Sequence, residues 1–235
     1  RSFGADINIK KNGSETSIII NGKQELTSKN IDVPSDLSSS AFFIVAALIN
    51  EGSKISMSNI NINPTRDGIL KALKKMGANI NIKNFRTLSG EIVADIDVEY
   101  SKLFGCELDA EMAKLMIDEY PILSVAAAFA NGPSLFKGLK ELKVKESDRL
   151  ELIKLNLNNC GCECEVINDD LLIKPSKNYK LLDNNIRTDF DHRIAMAFTV
   201  MGSKIGGLFI EDAESINTSF PNFINNFNNA GGNIL

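Results

Sequence analysis

Residues 36–52 read DLSSSAFFIVAALINEG, and two later stretches follow the same plan: DEYPILSVAAAFANG at 118–132 and DHRIAMAFTVMGSKIGG at 191–207. Each begins with an acidic residue, continues as an Ala-rich apolar run and ends at a glycine. Acidic residues are favourable helix N-caps, and glycine commonly follows the last turn of a helix. The stretches therefore predict three equivalent helices, capped by Asp36, Asp118 and Asp191.

A strand, a second helix and another strand follow each of these predicted helices. The first series is a strand at 54–60, a helix at 69–76 and a strand at 79–83. The second series is a strand at 134–136, a helix after residues 145–149 and a strand at 162–167. The order begins again with a strand at 208–211 and a helix at 220–229. The glycines that end the first helices, Gly52, Gly132 and Gly206, are 80 and 74 residues apart, a period typical of a duplicated α/β unit. We predict an α/β fold (α+β in some schemes) of three units, at about 36–100, 101–185 and 186–235.

The first residues repeat the end of a unit. Residues 2–10 read SFGADINIK, and residues 75–83 read KMGANINIK. This match predicts that residues 1–35 are the tail of another domain with a hinge, and that residues 36–235 form one domain. The simpler alternative is an unrelated Gly-Ala helix stop, which is a common pattern.

Composition excludes several classes of protein. The 235 residues are 43% hydrophobic and 24% charged, with a net charge of −4, which is ordinary globular usage without the basic surface of a nucleic-acid-binding domain. One histidine and four cysteines do not match a zinc-binding spacing, so we expect reduced thiols and no metal site. No signal peptide or membrane-length apolar run is visible. We expect a cytoplasmic protein and leave an upstream targeting segment open, because the chain starts at Arg1.

An anion-binding surface is the chemistry that the pattern suggests. Helix N-termini that face one side expose free N–H groups and positive dipole ends. The segment 137–149 adds five cations: Lys137, Lys140, Lys143, Lys145 and Arg149. Arginine suits bidentate binding of carboxylate or phosphate, and lysine acts as a point charge. Composition alone favours an ordinary salt-bridged helix start, because Glu141, Glu146 and Asp148 are interleaved.

His192 is the only side chain expected to titrate near neutral pH without help from its surroundings. A lone histidine is more often structural than catalytic, but this one stands between Asp191 and Arg193 at a predicted helix start. No P-loop, G-x-G-x-x-G or Ser/His/Asp pattern is present, so nucleotide and dinucleotide chemistry has no motif.

Three motifs resemble those of the 5-enolpyruvylshikimate-3-phosphate synthase (3-phosphoshikimate 1-carboxyvinyltransferase) family. They are DEYPILSVAAA at 118–128, LKVKESDRL at 142–150 and DHRIAMA at 191–197, and VPSDLSS at 33–39 and NPTR at 63–66 extend the match. The resemblance implies one lobe of a two-lobed enolpyruvyl transferase, each lobe being three βαβαββ-like units in an inside-out α/β barrel with the site in the cleft. The family transfers the enolpyruvyl group of phosphoenolpyruvate to the 5-hydroxyl of shikimate 3-phosphate, a step towards chorismate, with no metal or organic cofactor.

The resemblance also implies roles for single residues. Asp118 matches the proton acceptor, which also contacts the shikimate ring. Lys145 and, by position, Glu141 match contacts to shikimate 3-phosphate. Arg149 and Arg193 match the arginines that bind phosphoenolpyruvate, and Glu146 and His192 match groups around the pyruvyl carbon.

Two departures from the family pattern leave alternatives open. Many members carry a lysine just before Ser/Thr-Phe-Pro, where residues 216–221 here read INTSFP. The contacts that the family makes from its N-terminal lobe also lie outside this sequence. We therefore expect the chain to be inactive alone and the complete protein to be a monomer. The alternatives are a UDP-N-acetylglucosamine enolpyruvyl transferase and a non-catalytic lobe that binds a partner.

Overall fold

The computed structural model describes residues 1–176 and 178–235, and these residues form a mixed α/β fold. Three 3₁₀ turns, at Ile117–Glu119, Lys140–Val144 and Ala213–Thr218, accompany the helices and strands of the described residues. Those elements are, in chain order, β1 (Ile7–Asn12), β2 (Glu15–Ile20), α1 (Leu37–Ile49), β3 (Lys54–Asn61), α2 (Gly68–Lys75), β4 (Asn79–Leu88), β5 (Glu91–Glu99), β6 (Glu107–Leu108), α3 (Ala110–Met116), α4 (Tyr120–Ala128), β7 (Ser134–Phe136), α5 (Arg149–Asn159), β8 (Glu163–Ile167), β9 (Asp170–Lys174), β10 (Asn185–Ile186), α6 (His192–Ile205), β11 (Phe209–Ile210) and α7 (Phe223–Asn229).

The sheets repeat one arrangement of strands. In the second sheet, of order β6-β7-β9-β8, β6 is parallel to β7 and the other neighbours are antiparallel. The first sheet has the order β3-β5-β4, and Ser35 bridges in parallel to Ile60 of β3, where β6 stands in the second sheet. In the third, β10 is parallel to β11. The predicted series of strand, helix, strand, helix and hairpin is therefore found in the second unit, the first unit has it with the Ser35 bridge in place of the leading strand, and the third has its first four elements.

The match between residues 2–10 and 75–83 also holds in the backbone. Gly4 and Gly77 have φ angles of +89° and +86°, which favour glycine. Their N–H groups donate to the carbonyls of Arg1 and Lys74, three residues earlier. An antiparallel hairpin follows each glycine, β1–β2 after the first and β4–β5 after the second.

Three parallel helices form the centre of the core. Helices α1, α4 and α6 contact one another, and every residue of α4 is buried. Near their N-termini, Arg193 Nη1 donates to Asp118 O at 3.1 Å. At the other end, Asn50 Nδ2, just after α1, donates to Ser203 Oγ of α6 at 3.0 Å. The sheets and α2, α5 and α7 pack around these three helices. The N-termini of α1, α4 and α6 lie on the same side of the molecule, as predicted.

The predicted capping role of Asp118 is wrong. The Asp36 side chain accepts from Ser39 N at 2.8 Å, and that of Asp191 accepts from Arg193 N at 2.9 Å, as expected of N-caps. Asp118 instead lies in the 3₁₀ turn before α4, which begins at Tyr120. The second residue of α4 is Pro121, which has no backbone N–H for a capping side chain to bind. The chain therefore enters α4 directly from the 3₁₀ turn, without a side-chain cap.

Within the described part of the chain, no helix has the length and apolar character needed to cross a membrane.

Candidate active site

The side on which the central helices begin carries a cluster of charged residues from three segments. The 3₁₀ turn before α4 supplies Asp118, the entry to α5 supplies Lys145, Glu146 and Arg149, and α6 starts with Asp191, His192 and Arg193. Because α4 and α6 are parallel neighbours and α5 packs against both, these segments meet in space.

Arg149 is the centre of the cluster, and its side chain is 0% exposed. Its Nε donates to Asp191 Oδ2 at 2.7 Å and its Nη2 to Asp191 Oδ1 at 3.3 Å, a two-bond contact. Nη1 donates to Asp118 Oδ1 at 3.0 Å, and Nη2 also donates to Glu146 Oε2 at 2.5 Å. One buried guanidinium therefore joins three carboxylates.

Asp191 is buried, and it does more than cap α6. Besides the two bonds from Arg149, it accepts from Ser147 Oγ at 2.9 Å. Burial raises the pKa of Asp191, but the bonds from Arg149, Ser147 and the Arg193 backbone N–H outweigh it, so the pKa lies below its usual value. An ionised Asp191 thus fixes the guanidinium of Arg149.

Asp118 is an ionised, partly exposed carboxylate of the cluster. Its Oδ1 lies 3.3 Å from Lys145 Nζ and 3.0 Å from Arg149 Nη1, and its side chain is 29% exposed. Burial raises the pKa of Asp118, but the charges of Arg193, Lys145 and Arg149 outweigh it and hold the pKa below its usual value. An ionised carboxylate open to a ligand can accept a proton.

Arg193 is held at one corner of its guanidinium. Nη1 donates to Asp118 O at 3.1 Å and to Glu119 Oε1 at 3.4 Å. Among the described residues, Nε and Nη2 have no hydrogen-bond partner, and the side chain is 16% exposed. This leaves an edge that matches a carboxylate or phosphate with two parallel N–H groups.

His192 is half-buried at the first position of α6. Burial lowers its pKa, and the charges of Arg193 and Arg149 lower it further, against the opposite effects of Asp191 and Glu146. The imidazole is therefore neutral at pH 7, with a nitrogen able to accept a proton.

Glu141 makes no side-chain bond to this cluster within the described residues. It is exposed in the Lys140–Val144 turn and makes no side-chain hydrogen bond or ion pair with the residues that the structure describes. Two lysines of the same basic segment form surface pairs: Lys137 with Glu107, and Lys143 with Asp169. For those two lysines the salt-bridged reading of the segment is correct.

Three residues of this region were not identified from the sequence. Glu119 is buried and contacts Arg193, and the neighbouring Ser38 hydroxyl acts to lower the pKa of Glu119. Arg66 Nη2 in turn donates to Ser38 Oγ at 3.3 Å. Ser38 and Arg66 stand in quoted motifs, but only the packing of the helix ends shows that they meet Glu119. Elsewhere in the described ranges, no group of three or more His, Cys, Asp or Glu side chains is placed to hold a metal ion.

The fold is that of enolpyruvyl transferases. It matches the solved EPSP synthase of Acinetobacter baumannii with a TM-score of 0.87 and 37% identity, over 97% of this chain and 52% of that one. It also matches the enolpyruvyl transferase NikO of Streptomyces tendae with a TM-score of 0.70, over 99% of this chain and 51% of that one; at 17% identity this likeness shows the fold alone.

The family follows from the sequence comparison. The family model described as EPSP synthase (3-phosphoshikimate 1-carboxyvinyltransferase) matches residues 1–227, and the chain belongs to this family. Curated relatives with that enzyme name include those of Paramagnetospirillum magneticum, 44% identical, and Gluconobacter oxydans, 42% identical. Each alignment covers 100% of this chain and 53% of the relative, so the chain spans about half the length of these relatives.

Proposed function

We propose that this chain supplies one lobe of a 3-phosphoshikimate 1-carboxyvinyltransferase, which joins phosphoenolpyruvate to the 5-hydroxyl of shikimate 3-phosphate and releases phosphate. The observation that carries the proposal is the placement of the ionised Asp118 among Lys145, Arg149 and Arg193. Both substrates are polyanions and the reaction moves protons, so a site needs cations and a proton acceptor together.

Arg149 and Arg193 are the proposed ligands of phosphoenolpyruvate. The free edge of Arg193 can take an oxyanion directly. Arg149 is buried and already paired, so an incoming anion has to replace one of its carboxylates. Glu146 is 50% exposed, against 29% for Asp118 and 0% for Asp191, which makes it the carboxylate that a substrate displaces.

Proton transfer is assigned to three residues. Asp118 takes the proton of the 5-hydroxyl as the hydroxyl oxygen bonds to C2 of phosphoenolpyruvate, and the protonated form of Glu146 or His192 donates a proton to the methylene carbon. In the elimination, a proton leaves the methyl group so formed while the bond from C2 to the phosphate oxygen breaks. The lowered pKa of Asp118 keeps it in the ionised form that can accept a proton, and the neutral imidazole of His192 can take up the proton that leaves the methyl group in the second step.

Shikimate 3-phosphate is assigned to Asp118, Lys145 and Glu141. Lys145 supports this assignment because its ammonium lies at the open edge of the cluster, 3.3 Å from Asp118 Oδ1. Glu141 has to reach the substrate from its exposed turn. Residues 216–221 add no cation: Thr218 lies in a 3₁₀ turn and its hydroxyl donates to Ser215 O at 2.7 Å.

The remaining half of the site is assigned to a second lobe. Residues 36–235 are the proposed lobe of three units, and residues 1–35 the tail of the other lobe and the hinge. The hairpin and the segment after it expose large apolar side chains, including Ile18 at 64% and Val33 at 85%, which a further lobe would cover. With that lobe in place we propose a cytoplasmic monomer, and without it an inactive chain.

The test is acceptor choice by the two-lobed form, meaning this chain with the lobe that completes it. Phosphate release from phosphoenolpyruvate should require shikimate 3-phosphate and should not occur with UDP-N-acetylglucosamine. Release with the UDP-sugar alone would assign the chain to the other enolpyruvyl transfer. If folded protein released no phosphate with either acceptor, that result would support a non-catalytic lobe.

A further inference from the structure

Glu119 is a buried carboxylate that makes no capping hydrogen bond to its own helix. It occupies the N-cap position of α4 but makes no side-chain cap bond, unlike Asp36 and Asp191 at the other two helices. Its exposure is 4%. Carboxylates are rarely buried so completely without a partner, and burial raises the pKa of Glu119 although Ser38, Arg193 and Arg66 oppose this effect. Such a group costs stability, so the reason for it lies in what it contacts.

The partners of Glu119 come from the other two units. Ser38, in the first turn of α1, lies beside its carboxyl and acts to lower its pKa, and Arg66 Nη2 donates to Ser38 Oγ at 3.3 Å. Arg193, in the first turn of α6, brings Nη1 to 3.4 Å from Glu119 Oε1. The N-termini of all three central helices are therefore connected through this one side chain.

The contact decides which edge of Arg193 is free. Nη1 is used by Glu119 and by the carbonyl of Asp118, whereas Nε and Nη2 make no hydrogen bond within the described residues. A guanidinium held at one corner cannot rotate freely about its last side-chain bonds. Its open edge then keeps the orientation that two parallel bonds to an oxyanion demand.

We propose that Glu119 is a positioning residue for Arg193: it holds Nη1 so that Nε and Nη2 face the phosphoenolpyruvate anion. The proposal rests on the proposed function for the identity of that anion. Glu119 touches no substrate, and its effect passes through Arg193.

The experiment compares Glu119→Ala with Glu119→Gln in the two-lobed form, by calorimetric titration with phosphoenolpyruvate and by KM for each substrate. Glu119→Ala should weaken phosphoenolpyruvate binding and raise its KM by roughly ten-fold or more, the effect of losing a hydrogen bond to a charged group. The KM for shikimate 3-phosphate should stay unchanged. Glu119→Gln keeps an oxygen that accepts from Nη1, and should restore most of the affinity.

Two serine variants form a matched pair that tests the same proposal even if Glu119→Ala does not fold. Ser38→Ala removes the hydroxyl beside the Glu119 carboxyl and should also raise the KM for phosphoenolpyruvate, by less. Ser124→Ala removes a buried hydroxyl that has no partner among the described residues and should leave that KM unchanged. With Arg193→Ala already present, Glu119→Ala should weaken phosphoenolpyruvate binding no further.

The inference is overturned if Glu119→Ala leaves phosphoenolpyruvate affinity unchanged, if it raises both KM values alike with a fall in melting temperature, or if Ser38→Ala and Ser124→Ala behave the same. Failure of the proposed function is a separate result. A wild-type protein that binds phosphoenolpyruvate but releases no phosphate would contradict the proposed reaction, and the calorimetric comparison would still decide the role of Glu119.

Discussion

Arg149 and its three carboxylates set the chemistry of the cluster and also complicate its study. A buried ion cluster adds little net stability, but removing one member leaves the others charged and unpaired, which costs about 3–5 kcal/mol. Substitution of Arg149 would leave Asp191 in that state, because both are fully buried. Loss of activity in such a variant could not be separated from loss of fold, so the partly exposed Asp118 is the better probe.

For Asp118→Ala we expect turnover by the two-lobed form to fall by roughly 10²-fold or more, the usual effect of removing a general base. Stability should fall less than on substitution of Arg149, because Asp118 caps no helix, is 29% exposed and leaves Arg149 paired with Asp191 and Glu146. Steady-state kinetics and denaturant unfolding of the same protein measure the two effects. Asp118→Asn, which keeps the shape but not the charge, should be equally inactive. Activity within a few-fold of wild type in either variant would exclude Asp118 as the proton acceptor.

His192 should make the stability of this chain depend on pH. Its pKa in the folded protein lies below the usual value, so the unfolded chain binds more protons between the two values. Stability therefore rises with pH through that window, up to about pH 6.5, and the full penalty applies below the folded-state pKa. Melting temperatures of wild type and His192→Gln at several pH values check this, since His192 is the only histidine.

The quantity to compare is the difference in melting temperature between the two proteins at each pH. Glu119 also changes the stability with pH, in the opposite direction to His192. Its raised pKa makes stability fall as pH rises from about 4.3 to its folded-state value, equally in both proteins. If the melting temperature of His192→Gln followed that of wild type at every pH, the lowered pKa of His192 would be wrong.

Among the elements, the sequence predicts the buried ones best. The strand at 134–136 has the predicted bounds. Helices α1 and α6 begin at or next to the predicted residues, because a long apolar run between an acidic cap and a glycine strongly favours a buried helix. Helix α3 was not anticipated: it has seven residues and only Ala113 and Met116 buried, so it leaves little periodic signal. Strand β4 continues to Leu88, past a bulge that interrupts the alternating pattern.

The candidate site was predicted in part, because most of its residues stand in motifs that are visible in the sequence. Asp118, Lys145, Glu146, Arg149, His192 and Arg193 stand in motifs, and the structure brings them together. Glu119 and Ser38 depend on which helix ends face each other, which local sequence does not encode. Glu141 shows the converse, because a residue assigned by its position next to a motif lies exposed in a turn and makes no side-chain bond to the cluster within the described residues.

Helix α1 should depend measurably on its cap. Asp36 accepts from both the backbone N–H and the hydroxyl of Ser39, each at 2.8 Å. Replacing Asp36 by Ala should lower the free energy of unfolding by about 1 kcal/mol, as for other N-caps. Asp36→Asn, which also caps well, should lose much less. Equal losses in the two variants, measured by urea unfolding, would mean that capping is not the cause.

The connection between the first and second units should tolerate no side chain at Gly105. Its N–H donates to Asn131 O at 3.1 Å, and a Cβ there would lie 2.1 Å from the carbonyl oxygen of Pro133. Gly105→Ala should therefore cost roughly 1–3 kcal/mol or more, the range of overpacked sites. Gly22→Ala, where a Cβ meets nothing within 4 Å, is the control and should be nearly neutral. Similar urea midpoints for both variants would contradict the close approach.

At the scale of the whole molecule, three repeated units point their central helices the same way and so gather groups that are far apart in the sequence. Asp118 and Arg193, which meet at 3.1 Å, are 75 residues apart. The resulting face is charged and open, and its anion-binding edges are partly occupied by its own carboxylates. That arrangement suits one wall of a cleft, which needs a second wall to exclude water and hold two anions.

Phosphate release from phosphoenolpyruvate and shikimate 3-phosphate, measured for this chain alone, for the complementary lobe alone and for the two together, tests the shared site most directly. We predict release only when both lobes are present. Release by this chain alone would contradict a site formed between lobes, and no release from two folded and associated lobes would contradict the enzymatic role itself.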